Sequence, residues 1–142
     1  MSLLVIDASV VIKWFVTEPH SEAALRLLDI EKRFLAPDHV FAETANAIWK
    51  HVRLHHFSFE FGFEVIRKID RAAANIDVIS CRDIAVDAYR IAVTHDRSVY
   101  DALYVALAQQ RDTRLITADT RLYNALVRAP EIAPHIQSLA NY

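Results

Sequence analysis

The sequence SVYDALYVALAQQ (residues 98–110) is an apolar helical run that carries a carboxylate near its start. Its apolar positions are dense enough to predict a helix buried in the core, and they include Val99, Leu103, Val105 and Leu107. This helix carries Asp101 toward the same core. Because burying an unpaired carboxylate costs several kcal/mol, Asp101 is expected to have a partner elsewhere in the fold.

The rest of the chain alternates short, branched apolar runs with helical patterns, which predicts an α/β fold. Four strands are predicted, at LLVI (3–6), FLA (34–36), IDVIS (76–80) and RLIT (114–117). Helices are predicted over residues 10–16, over residues 21–30, from Asp38 through Val52, from Asp83 through Ala92, over the opening stretch, and from Asp119 through Leu126. Since crossover connections join parallel strands, we expect a mostly parallel sheet with helices on both faces.

One segment, residues 57–74, fits two structures. The phenylalanines of FSFEFGF (57–63) alternate along the chain as in a strand. The same residues fit a helix with Ser58 as its cap, and we favour the helix. Because so many phenylalanines cannot all face one small core, an exposed apolar patch is expected here, joined by Trp14 and Trp49. The alternative is a locally buried aromatic cluster.

Composition excludes several classes of protein and site. The 142 residues, 54% of them hydrophobic, suffice for one domain spanning residues 1–142 with a sizeable core. No apolar run reaches the ~18 residues of a membrane span, and the N-terminal run contains Asp7 and no basic leader, so neither a span nor a signal peptide is expected. The lone Cys81 excludes an internal disulfide and favours the cytoplasm. The single glycine, Gly62, excludes phosphate-binding loops, which need several.

Four acidic residues fall where the predicted sheet brings them toward one edge. Asp7 directly follows the first strand, and Asp119 follows the fourth by two residues. Open α/β sheets bind ligands beyond the carboxyl ends of their strands. Glu43 lies in the first turns of the helix after the second strand, and Asp101 opens its own helix near the same edge. We therefore expect these four carboxylates to share one site.

Four converging carboxylates repel one another unless they are protonated or bind cations. Two unit charges about 4 Å apart cost roughly 4 kcal/mol at an effective dielectric constant of 20. Ligands that are all oxygen favour Mg²⁺ or Mn²⁺ over Zn²⁺. We expect such an ion to be the partner of Asp101. A metal pair held by carboxylates suits phosphodiester hydrolysis, because one ion activates water and the other stabilises the leaving oxygen.

Each of the four acids also has a purely structural interpretation. Asp7 and Asp119 could simply cap the helices that follow them. Asp101 could be an acid favoured by the dipole of its helix, and Glu43 could pair with Lys50 or Arg53 on a solvated face. Spacing alone does not decide between these roles and a metal site.

The segments VIDASVVIKWF, AETANAIW, SVYDALYVALA and LITAD resemble the PIN-domain ribonucleases, and within them the VapC-type toxins of toxin–antitoxin pairs. The resemblance follows essentially the whole chain in the right order. It implies a three-layer α/β/α sandwich and an Mg²⁺ or Mn²⁺ site with four catalytic acids, of which Asp7, Asp101 and Asp119 bind metal while Glu43 completes the site. It further implies that Ser9 and Thr117 support the ligands or position water, and that Asn46 orients Glu43.

The same resemblance implies an endoribonuclease that hydrolyses RNA by metal-activated water, with a small antitoxin as partner and a homodimer as its assembly. It makes residues 57–74 a helical hairpin that pairs protomers or binds the antitoxin. With a net charge of −2, RNA must be attracted locally. The candidates are Lys13, Lys50, Arg53 and Arg97, for each of which a solvated surface role is the alternative.

Other functions are compatible with parts of this sequence. The chain could be a PIN-type RNA-processing nuclease without an antitoxin, or a catalytically silent binding module of the same fold. An aspartyl-nucleophile phosphatase is disfavoured, because Ser9 stands where that mechanism has a second acid, two residues after Asp7.

Overall fold

The structure, a computed structural model, describes residues 2–29 and 32–142. Its described residues form one five-stranded sheet in the spatial order β3-β2-β1-β4-β5, and every adjacent pair of strands is parallel. The strands are β1 (Ser2–Ile6), β2 (Lys32–Pro37), β3 (Ile76–Ile79), β4 (Leu115–Thr117) and β5 (Ile136–Ser138). The predicted parallel sheet is confirmed.

The α-helices of the described residues are α1 (Ala8–Val11), α2 (Ser21–Leu28), α3 (Val40–Arg53), α4 (Phe59–Ala72), α5 (Ala85–His95), α6 (Val99–Gln110) and α7 (Thr120–Leu126). The strands wind outward in one direction from β1 to β3, and in the other from β4 to β5. Since crossovers are right-handed, this reversal places helices on both faces and gives an α/β/α sandwich. Within residues 2–29 and 32–142, no helix is long and apolar enough to span a membrane.

Helix α6 lies at the centre of the core. Seven consecutive residues, Ala102–Ala108, are buried, and the helix packs against α5 and strands β1, β2 and β4. A helix enclosed in this way is apolar on every side, as its sequence predicts. Burial is confirmed for Leu103, Val105 and Leu107 but was wrongly predicted for Val99. That residue is 37% exposed because it lies in the first turn, before the buried part of α6 begins.

Several predicted helix boundaries require correction. Asp38 does not cap α3, which begins at Val40; its carboxylate instead accepts a hydrogen bond from the backbone N–H of Cys81 at 3.1 Å. Asp83 ends a 3₁₀ turn, and α5 begins at Ala85. The helix predicted over residues 10–16 is the short α1 followed by a 3₁₀ turn at Ile12–Trp14. Helix α2 ends at Leu28, and residue 30 of its predicted range lies outside the described residues.

The helical interpretation of residues 57–74 is confirmed by α4. The hydroxyl of Ser58 caps it, accepting a hydrogen bond from the backbone N–H of Phe61 at 3.1 Å. Gly62 lets α4 approach α3 closely, since a Cβ atom there would lie 3.0 Å from the Cγ2 of Val52 and 3.2 Å from the Cγ2 of Ile48. The hairpin implied for residues 57–74 is corrected: these residues form the single helix α4 followed by a 3₁₀ turn, and the hairpin is made by α4 together with α3.

The apolar patch predicted on this hairpin is present, with one correction. Phe59, Phe63 and Trp49 are exposed. Trp14 does not join them, because its indole N–H donates to the carbonyl of Ala24 at 2.8 Å and its ring packs on Phe34. Trp14 is thus partly buried and packs against the core.

Strand β5 was not predicted from the sequence. It is three residues long and extends the sheet beyond β4 through parallel pairing that starts at Leu115 and Ile136. A run of this length carries too little alternation to be recognised, and it exists because β4 offers it an edge.

Candidate active site

The strand order reverses between β1 and β4, and such a switch point is where open α/β sheets bind ligands. A cleft of about 280 Å³ lies at the carboxyl ends of these strands. Its polar lining residues are Asp7, Ser9, Glu43, Asn46, Lys50, Asp101, Tyr104 and Asp119. The cleft therefore brings together the four predicted acids.

Asp7 lies at the floor of this cleft and is 5% exposed. Its carboxylate caps α1 by accepting from the backbone N–H of Val10, and the hydroxyls of Ser9 and Thr117 donate to its two oxygens at 2.5 Å. Burial raises the pKa of Asp7 from 3.8 to about 6; these hydrogen bonds oppose the rise, and the nearby charge of Asp119 adds to it. The same carboxylate is thus both a helix cap and a buried acid of the site.

Ser9 and Thr117 join the ends of β1 and β4. The Thr117 hydroxyl also accepts a hydrogen bond from the backbone N–H of Asp119 at 3.0 Å, and the Ser9 hydroxyl accepts one from that of Ala118 at 2.9 Å. Asp119 in turn caps α7 through the backbone N–H of Leu122. These bonds fix the backbone that carries Asp119 relative to Asp7.

Asp101 is half-buried in the first turn of α6, whose cap Ser98 accepts from the backbone N–H of Asp101 at 3.1 Å. Burial raises the pKa of Asp101, as do the charges of Asp119 and Glu43, while the Ser98 hydrogen bond and Arg97 oppose the rise. In the part of the chain that the structure describes, no basic side chain forms an ion pair with Asp101. The charges that raise the pKa of Asp101 come from two acids across the cleft, Asp119 and Glu43.

Glu43 is held by two residues that the sequence analysis did not identify. The hydroxyl of Tyr104 donates to its Oε1 atom at 2.6 Å, and Nε2 of His39 lies 3.1 Å from the same oxygen. Among the described residues Asn46 makes no hydrogen bond to Glu43, and Lys50 and Arg53 form no ion pair with it. The proposed role for Asn46 is thus corrected: it lines the cleft, while Tyr104 and His39 orient the carboxylate.

The surroundings of Tyr104 and His39 shift the pKa values of both side chains. Burial raises the pKa of the Tyr104 phenol, and the charge of Glu43 and the hydrogen bond to it raise it further. Burial lowers the pKa of His39, but its hydrogen bonds to Glu43 and to the carbonyl of Tyr100 outweigh burial and raise it overall. The sequence feature that could have identified them is helical spacing. Tyr104 follows Asp101 by three residues, and His39 precedes Glu43 by four, so each pair shares a helix face.

The basic residues proposed for RNA contact are placed differently from one another. Lys50 lines the cleft, two turns along α3 from Glu43. Lys13 is largely buried and its Nζ lies 3.5 Å from Glu18. The guanidinium of Arg53 lies 4.9 Å from the ring centroid of Trp49, and Arg97 donates to the carbonyl of Asp96. Of the four, Lys50 lines the cleft, and Arg97 lies near enough to Asp101 to oppose the rise of its pKa.

The donor set of the cleft fits a hard divalent cation. Its candidate ligands are carboxylate, hydroxyl and amide oxygens, which Mg²⁺ and Mn²⁺ prefer. The acids are close enough to raise one another's pKa, and a cation between them would reverse that repulsion. Across residues 2–29 and 32–142, no three His, Cys, Asp or Glu side chains are already arranged as a metal site.

A family model, a related sequence and two solved structures are all similar to this chain. The sequence model of the PIN domain matches residues 4–126. The chain is 32% identical over 119 residues to Ribonuclease VapC3 of Pyrobaculum aerophilum, covering 84% of this chain and 91% of that protein. Its fold is similar to that of PAE2754 from Pyrobaculum aerophilum, with a TM-score of 0.70 at 19% identity over 99% of this chain and 85% of the other. It is also similar to a toxin–antitoxin complex from Klebsiella pneumoniae, with a TM-score of 0.68 at 15% identity over 96% and 97% of the two chains.

Proposed function

This chain belongs to the PIN-domain family, as its motifs predicted, and on that premise we propose that it is a metal-dependent endoribonuclease acting as the toxin of a toxin–antitoxin pair. The observation that carries the proposal is the buried Asp7 facing Asp119, Asp101 and Glu43 in one cleft at the switch point of the sheet. The similarity to a ribonuclease VapC along most of the chain supports RNA as the substrate.

In this proposal the residues of the cleft have distinct tasks. Asp7, Asp101 and Asp119 would hold Mg²⁺ or Mn²⁺, which supplies activated water and stabilises charge on the leaving oxygen when bound. Ser9 and Thr117 keep the Asp7 carboxylate in place. Glu43, held by Tyr104 and His39, forms the opposite wall and completes the site. Lys50, which lines the cleft, would contact an RNA phosphate.

RNA cleavage by the purified chain, free of antitoxin, tests the proposal. We expect cleavage with Mg²⁺ or Mn²⁺, and its loss with EDTA or in Asp101→Asn. The matched control is Asp87→Asn, which neutralises an exposed carboxylate on α5 and should cleave like the wild type. Full activity of Asp101→Asn would contradict the assigned site. A folded wild type that cleaves no RNA would favour the catalytically silent binding module.

An antitoxin partner has a suitable surface in the groove between α3 and α4. The groove has a volume of about 170 Å³ and is lined by Trp49, Phe59, Gly62, Phe63 and Ile66, among others. We propose that an apolar segment of the antitoxin occupies it, since exposed aromatic side chains around a recess serve as binding anchors. The fold similarity to a chain of a toxin–antitoxin complex supports this kind of partner.

Binding of the protein encoded by the neighbouring gene tests whether the groove between α3 and α4 holds an antitoxin. Phe63→Ser should weaken its binding by about tenfold or more, because the substitution removes an aromatic anchor. Leu25→Ser, which replaces an exposed apolar side chain on α2, is the control and should bind normally. If no neighbouring protein binds and RNA is still cleaved, the RNA-processing nuclease without an antitoxin is the better description.

The proposed homodimer has its own candidate surface on α5. Val86, Tyr89 and Val93 lie on one face of this helix and are 73%, 65% and 66% exposed. An apolar stripe of this kind is typical of an interface between copies of a chain. We expect the wild type to sediment as a dimer and Val93→Asp as a monomer.

Location in the cytoplasm, which the free Cys81 favours, stays a prediction.

A further inference from the structure

We propose that His39 is a positioning residue that holds Glu43 at a fixed distance from Asp101 by joining α3 to the first turn of α6. The inference rests on the proposed nuclease function and adds to it a residue outside the lining of the cleft. It is carried by the contacts of one imidazole ring with three different parts of the chain.

The ring of His39 makes a polar contact on each of its nitrogens. Nε2 lies 2.9 Å from the carbonyl oxygen of Tyr100 and 3.1 Å from Oε1 of Glu43. Nδ1 lies 3.5 Å from Sγ of Cys81. Because a carbonyl oxygen only accepts, Nε2 must carry a hydrogen. In the neutral ring Nδ1 then accepts from the Cys81 thiol, so one tautomer satisfies the contacts with Tyr100 and Cys81.

These contacts connect the two helices that carry opposing acids. Tyr100 immediately precedes Asp101 on α6, whereas Glu43 lies one turn after His39 on α3. The Nε2–H group therefore bonds the backbone beside Asp101, while the same nitrogen lies at ion-pair distance from the carboxylate of Glu43. Since Asp101 and Glu43 repel each other, a ring in contact with both sides opposes their separation.

The position of the ring is itself fixed by packing. The centroid of the Tyr104 ring lies 4.7 Å from that of His39, and the ring of Tyr100 stacks on it at 6.2 Å. The Tyr104 hydroxyl reaches the same Oε1 atom of Glu43 at 2.6 Å. On the other side, the loop of Cys81 is anchored by the hydrogen bond from its backbone N–H to Asp38. A ring enclosed in this way keeps Nε2 bonded to Tyr100 and next to Glu43.

Two substitutions at this position separate the donor from the volume of the side chain. His39→Phe keeps an aromatic ring without an N–H, and His39→Gln keeps an N–H donor at a similar reach without the ring. For RNA cleavage we expect His39→Phe to lower kcat by about 10²-fold with KM unchanged, since misplacing a reacting group by ~1 Å costs about that much. His39→Gln should restore most of kcat. Equal kcat in the wild type and His39→Phe would overturn the proposal.

A second measurement decides the proposal independently of RNA. Long-range ¹⁵N–¹H NMR spectra of the neutral ring should show the hydrogen of His39 on Nε2. The backbone amides of Asp101 and Ala102 should shift in His39→Phe and return toward their wild-type positions in His39→Gln. A hydrogen on Nδ1, or amides that do not respond, would overturn the role of His39. Absence of RNA cleavage by the wild type would instead count against the proposed function, and the NMR result would still decide whether His39 joins the helices.

Discussion

At Asp7 the fold holds a carboxylate in surroundings that favour its uncharged form. Burial raises its pKa from 3.8 to about 6, so the folded chain binds this proton more tightly than the unfolded chain does. Ionising Asp7 inside the fold therefore costs up to about 3 kcal/mol of stability. This cost is absent below pH 3.8, where the carboxyl is protonated in both states, and it is complete once the pH has risen above about 6. The metal-free protein is thus destabilised by its own site at neutral pH.

We therefore expect Asp7→Asn to stabilise the metal-free protein at pH 7, by about 1–3 kcal/mol. The measurement is urea unfolding in EDTA between pH 4 and pH 7, for the variant and the wild type together. The stability advantage of the variant should grow through this range and be small at pH 4, where the wild-type carboxyl is largely protonated. Asp87→Asn, on the exposed face of α5, should show no such growth. A less stable Asp7→Asn at pH 7 would contradict the account of its burial.

Individual site residues could be predicted from the sequence only where topology places them. Asp7 and Asp119 follow β1 and β4 directly enough that the edge rule brings them to the cleft. Tyr104 and His39 could not be chosen in this way. Their roles depend on the distance between α3 and α6, which is set by the packing of the sandwich. The only related feature in the sequence is the helical spacing of these residues from Asp101 and Glu43.

At the scale of elements, the contact between α3 and α4 depends on one residue without a side chain. A Cβ atom at Gly62 would meet methyl groups of Val52 and Ile48 at 3.0 and 3.2 Å. We expect Gly62→Val to destabilise the protein by about 1–3 kcal/mol, because its methyl groups overpack this contact. The same change should weaken antitoxin binding, since Gly62 lines the groove. Chemical denaturation and a binding titration measure the two effects.

Gly62→Ala is the informative companion variant. Alanine favours a helix over glycine by about 1 kcal/mol, which offsets much of the crowding from a single methyl group. The alanine variant should therefore be near neutral while the valine variant is not. If the two variants are equally stable, the close approach of α4 to α3 is not what requires glycine here.

Elements were predictable where the hydrophobic pattern is long and locally capped. Helix α6 is apolar throughout, and Ser58 supplies the cap of α4 that favours a helix over the alternating pattern of its phenylalanines. Asp38 misled the prediction because an acid before a helix is normally its cap, whereas here it binds the backbone of Cys81, 43 residues away. Strand β5 depends on an edge provided by β4. Both errors come from contacts between segments distant in sequence.

At the scale of the whole molecule, the winding of the sheet determines where charge accumulates. Five parallel strands with a reversal between β1 and β4 bring Asp7 and Asp119 to one crevice, to which α3 and α6 add Glu43 and Asp101. The net charge of −2 gives the molecule no general attraction for RNA. Concentrated negative charge in the cleft must therefore be neutralised before a phosphodiester can approach it.

This requirement links divalent cations to the stability of the whole fold. A ligand that binds only the folded state stabilises it by about 1.4 kcal/mol at ten times its Kd, which raises the Tm of a chain of this size by several degrees. We expect millimolar Mg²⁺ or Mn²⁺ to raise the Tm of the wild type relative to EDTA. The shift should be lost in Asp101→Asn, which removes a proposed ligand, and retained in Asp87→Asn. Equal shifts in both variants would mean that the ions act elsewhere on the surface, and no shift in the wild type would argue against a working metal site in this cleft.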